Sequence, residues 1–131
     1  MDYKKIILII FAAVIIFIGF GFGKEALATY YTSATSTSIN LLSGKYVQSI
    51  DSFTYTASSI PSGTTLKVQF SQDNSTWKNS AGTTGGWDTM SQGQNNISLT
   101  GLSWSGPNFY YRVAFTGNGS STPILDEVAV N

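Results

Sequence analysis

The chain has 131 residues, seven Lys plus Arg balanced by seven Asp plus Glu, and neither histidine nor cysteine. That length allows one domain of ordinary size, and the even, sparse charge excludes the basic footprint that nucleic-acid binding requires. The two missing residue types exclude imidazole bases, thiol catalysis, disulfides and thiolate zinc sites.

The N-terminal stretch reads as an address. Lys4 and Lys5 precede an almost wholly apolar run from Ile6 to Phe20, which Gly19, Gly21 and Gly23 interrupt before Lys24-Glu25 restores polarity. Ala26-Leu27-Ala28 then sets small residues at the −3 and −1 positions of a cleavage site. A charged start, a short apolar run and an A-x-A site describe a secretory signal peptide ending at Ala28. The alternative is a membrane anchor, and the apolar run is slightly short of the roughly 20 residues of a comfortable span. An uncleaved leader would touch the membrane through residues 6–22 only, leaving Lys4 and Lys5 in the cytoplasm. Both readings divide the chain into a leader, residues 1–28, and a domain, residues 29–131, and both place the domain extracellularly or at the cell surface.

After Ala28 the chain is rich in Gly, Ser, Thr and Asn, which suits short strands joined by turns. Residues 29–38 read as an early edge strand or a stalk, and Ile39 to Leu42 as a brief apolar patch ended by a Ser43-Gly44 turn. The stretch from Lys45 to Thr56 is extended, but Ile50 falls out of register with Val47 and Phe53, which predicts a bulge or a change of sheet near residues 49–52. Ile60-Pro61-Ser62-Gly63 is a turn. Leu66, Val68 and Phe70 alternate with polar residues as a strand, and Thr76-Trp77-Lys78 starts the return of a hairpin. Residues 81–86 and 92–96 read as loops, Ile97 and Leu99 as one strand face, and Leu102 with Trp104 as the next apolar pair. The clearest strand is Phe109 to Phe115, where Phe109, Tyr111, Val113 and Phe115 share one face and Tyr110, Arg112 and Ala114 the other. Ile124, Val128 and Val130 mark a closing strand. About eight short strands with regular turn signals predict an all-β antiparallel sandwich of jelly-roll type, with no helix after Ala28.

Three patterns carry a resemblance: Val68-Gln69-Phe70-Ser71-x-Asp73-x-x-x-Trp77, Phe109-Tyr110-Tyr111-Arg112-Val113-x-Phe115, and Thr122-Pro123-Ile124-Leu125-Asp126-x-Val128. The chain from about Tyr30 onward resembles the secreted bacterial surface β-sandwich modules, jelly-roll or galactose-binding-like. The resemblance implies a module attached to enzymes or adhesin-like chains, whose members include carbohydrate-binding domains.

The candidate chemistry is sparse. Alternation places Trp104 in the core with Leu102, and Trp77, opening a return strand, is expected there too. Trp87 follows Gly85-Gly86 in a loop where alternation dictates no burial, so it is the ligand candidate. Asp88 beside it, and Tyr110 and Arg112 on the outer face of the aromatic strand, complete the candidate contact set. Asp73 sits where a turn aspartate bonds its own backbone. Asp126 and Glu127, adjacent on a strand, should face opposite ways and so form no carboxylate pair. Ser75-Thr76-Trp77-Lys78 spells S-x-x-K but crosses a β-turn instead of a helix. The residues call for no catalytic group, no cofactor and no metal ligand set. The expected function is a non-catalytic extracellular surface or interaction module in cell-envelope structure or adhesion, with a carbohydrate-binding module as the alternative. Its partners would be an extracellular glycan or a cell-surface protein. Cleavage after Ala28 leaves Thr29 as the first residue of the exported protein, which mass spectrometry reads directly; an intact Met1 would refute it.

Overall fold

The computed structural model describes residues 32–131 together with the backbone of Ile6 and Ile7. The expected leader otherwise lies outside the described residues. Nine strands are described: β1 (Ile6–Ile7), β2 (Ser33–Thr35), β3 (Ile39–Asn40), β4 (Ser52–Ala57), β5 (Thr65–Ser71), β6 (Asp88–Thr89), β7 (Gly93–Ser98), β8 (Tyr110–Thr116) and β9 (Glu127–Val130). They form two antiparallel sheets, consistent with a β-sandwich. One runs β1-β9-β4-β7; the other runs β2-β8-β5-β6, with β3 also on β8. No helix among the described residues is long and apolar enough to cross a membrane.

The period-two pattern of β4, β5 and β8 explains why the sheets meet face to face. Phe53, Tyr55 and Ala57 on β4, Leu66, Val68 and Phe70 on β5, and Tyr111, Val113 and Phe115 on β8 are all buried. Phe53 is the bridge between the sheets. Its ring lies 5.1 Å from Phe70, edge-on, and 5.5 Å from Tyr111, with Phe109 at 6.4 Å. Such tilted and edge-on pairs add attraction beyond the area they bury. Strand β8 is central in its sheet: β5 pairs along its whole length, and β2 and β3 share its other side.

Ile50 marks a change of sheet. Val47 bridges Gly106, continuing the run beside β8, whereas Ser52 opens β4 in the opposite sheet, and Ile50 between them turns into the core. The Pro61 turn closes through Thr64 N–H to the Pro61 carbonyl at 3.0 Å, with Gly63 at φ 77°.

Two expectations are corrected. The stretch read as a polar loop at 92–96 lies largely in β7, which pairs with β4 through all six of its residues. It is an edge strand whose pairing is made by backbone, so its mostly exposed Gln and Asn side chains left no apolar alternation to read. Ile124 is 44 % exposed, and Leu125 takes the buried place instead, because Ile124 bridges Ser59 before β9 begins. As expected, no α-helix occurs among the described residues, and a single 3-10 turn, Thr100–Leu102, follows β7.

Tyr111 carries an uncompensated cost. Its side chain is fully buried, and its hydroxyl has no hydrogen-bond partner. Burial pushes its pKa up to about 12. The neutral phenol is thus favoured in the fold, and stability is lost as pH rises past the ordinary value of 10.0 toward that higher one. Tyr111→Phe removes the unsatisfied hydroxyl and keeps the ring, so it should raise unfolding stability in urea by about 1 kcal/mol and flatten the alkaline loss. A variant less stable than the parent by that amount would contradict the burial described.

Candidate functional site

The outer faces of the two sheets differ. On the β8 side, the register sets Gln69 opposite Arg112, Ser71 opposite Tyr110 and Lys67 opposite Ala114, and opposed residues share a face. These positions point away from the core, yet Gln69 is only 1 % exposed and Ser71 is fully buried. The cover comes from the excursion between β5 and β6. Lys78 exchanges both backbone hydrogen bonds with Phe70 at 2.9 Å, Gly85 N–H reaches the Trp77 carbonyl at 2.8 Å, and the loop returns to β6 through Trp87.

Within that cover, Arg112 lies against two indoles. Its guanidinium carbon is 4.3 Å from the centre of Trp77 and 5.4 Å from that of Trp87. A cation over an aromatic face is held by the ring quadrupole, and more strongly where water is partly excluded. Gln69 fixes the group from below. Its Oε1 accepts from Arg112 Nε at 2.9 Å and Nη2 at 2.7 Å, while its Nε2 donates to the Gly86 carbonyl at 2.7 Å. One buried amide therefore ties the strand, the cation and the loop bearing Trp87. Arg112 is the sole arginine of the chain.

Of the expected contacts, Trp87 and Arg112 come together, and Tyr110 lies two positions from Arg112 on the same strand face. Asp88 does not join them. It pairs with Val68, whose side chain faces the core, and its carboxylate accepts from Ser80 N–H at 2.6 Å and Ser80 Oγ at 2.9 Å. Trp77 was expected in the core but is part-buried on the outer face, against Arg112. Trp104 does pack against the core, edge-on to Phe109 with centroids 6.4 Å apart. Gln69 and Trp77 were the residues missed. The pairing of Gln69 with Arg112 needs the β5–β8 register, which neither strand reveals alone.

The carboxylates are occupied in turns. Asp73 Oδ1 accepts from Thr76 N–H at 2.6 Å, Ser75 N–H at 2.8 Å and Ser71 Oγ at 2.8 Å, as its position in the hairpin predicted. Those donors, the Thr76 and Ser75 backbone first, hold its carboxyl well below the usual range. The Asp126 carboxylate takes Ser58 N–H at 2.7 Å. The outer face of the other sheet has a groove of about 150 Å³, where Glu127 sits among Thr54, Thr56, Gln94 and Asn131. Among the described residues no group of three His, Cys, Asp or Glu could hold a metal ion.

Gln69→Ala should lower unfolding stability by about 2 kcal/mol, because it strips two hydrogen bonds from a charged group and leaves that group without its partner. Chemical denaturation measures this, and an unchanged midpoint would mean that Gln69 holds nothing. The chain matches no family model, and no curated protein or solved structure is significantly similar to it.

Proposed function

We propose that this is a non-catalytic extracellular interaction module, exported by its N-terminal leader and acting at the cell surface in envelope structure or adhesion. The observation that carries this reading is the Trp77–Arg112–Trp87 platform on the outer face of the β8 sheet. It is a pre-ordered surface of aromatic faces and one planar cation. The described aspartates support the same reading, since each serves a turn or a strand end and none is paired with a second carboxylate for acid–base work. The chain's passage from one sheet to the other at Ile50, and again between β6, β7, β8 and β9, favours a jelly-roll-like sandwich of the surface-module kind.

A second reading, a defined carbohydrate-binding module, is favoured by a specific feature. Trp77 and Trp87 are both part-buried at the edge of the platform, with the Arg112 guanidinium over both rings. Indole faces pack against the C–H faces of pyranoses, and Tyr110 lies on the same side of the sheet. A glycan array separates the two readings. The carbohydrate reading expects the parent to bind a defined glycan class and Trp87→Ala to lose at least about tenfold in affinity. A parent that binds no glycan would leave only the protein-interaction reading.

A further inference from the structure

The Arg112 guanidinium is half used. Gln69 occupies its Nε–Nη2 edge, while Nη1 makes no hydrogen bond to a described residue and is not among the buried polar atoms left without a partner, so it keeps contact with solvent. A guanidinium presents two edges for paired N–H···O bonds, and the Nη1–Nη2 end is the one left over. No carboxylate of the described residues neutralises it. Asp73 is held in its own turn, Asp88 by Ser80, Asp126 by Ser58 and Asp51 by Ser49, and Glu127 lies on β9 in the other sheet. A second cation shares that face: Lys67 lies diagonal to Arg112 across the β5–β8 pair.

We propose that the open end of Arg112, clamped against Trp77 and Trp87, is a subsite for the carboxylate of an acidic sugar. A uronate residue offers both features that the site can use. Its planar carboxylate matches the free guanidinium end bidentately, and its ring C–H face can stack on an indole. The clamp makes this recognition inexpensive, since Gln69 and the indoles already fix the side chain that would otherwise lose rotamer freedom on binding. The proposal rests on the carbohydrate-binding reading and adds the substrate class.

The test compares the full chain against oligogalacturonate and the same oligomer carboxyl-reduced to its neutral form, by titration calorimetry at two salt concentrations. The acid form should bind about tenfold or more tightly than the reduced form, with the advantage shrinking as salt rises. Arg112→Gln should abolish that preference, and Arg112→Lys should retain only part of it, because an ammonium lacks the fork. The parent's ratio is decisive even if a variant misfolds. Equal affinity for the two oligomers overturns the acidic-sugar subsite and leaves the carbohydrate reading standing. Binding to neither oligomer, with no glycan bound on the array, overturns both. Tighter binding to dextran sulfate than to oligogalacturonate would overturn the assignment to a carboxylate.

Discussion

The two-residue period of β8 is the constraint to which the rest of this domain answers. One side of the strand supplies Tyr111, Val113 and Phe115 to the core, and the other presents Tyr110, Arg112 and Ala114 outward. A slip of one residue would bury the guanidinium among phenyl rings and expose the core, so the register is strongly specified. Pairing with β5 through seven residues transmits that choice. Once Val68 faces Val113 and Phe70 faces Tyr111, Gln69 must oppose Arg112. The outer platform is thus a by-product of the inner packing.

Burial of Gln69 on an outward-facing position follows from the same logic. An amide excluded from water must find partners on both its donor and acceptor ends. Arg112 takes the oxygen and the Gly86 carbonyl takes the nitrogen, so the amide is satisfied only if the 72–87 excursion closes over the sheet. Closure in turn brings both Trp77 and Trp87 against the cation. Each member of the group depends on the others, and the energetics should be strongly non-additive.

The sequence exposed the inner face of this domain better than its outer one, for a physical reason. Core positions are marked by residue type and alternate along a single strand, so β4, β5 and β8 could be read from Phe53, Tyr55, Leu66, Val68, Phe70 and the Phe109–Phe115 run alone. Strand β7 could not, because a polar edge strand is held by backbone hydrogen bonds that any residue supplies. Ile50 announced a break by being out of phase, and the break proved to be the passage between sheets. At the candidate site, Trp87 and Arg112 were recognisable because one follows a glycine pair and the other breaks an aromatic run. Gln69 and Trp77 were not, since their roles arise from cross-strand register and from a loop folding back, neither of which is local. Asp88 stood next to Trp87 in sequence and was expected to act with it, but neighbours along a strand face opposite ways.

The central claim is that Arg112 is locked against two indoles by Gln69 and left open at one end. Because the chain has a single arginine, its Nε–H gives one side-chain signal in a nitrogen-15 NMR spectrum. The account predicts a signal shifted upfield by the flanking rings and exchanging slowly with water, as a hydrogen-bonded Nε–H must. A signal at the free-arginine position, exchanging as fast as an unrestrained side chain, would contradict it.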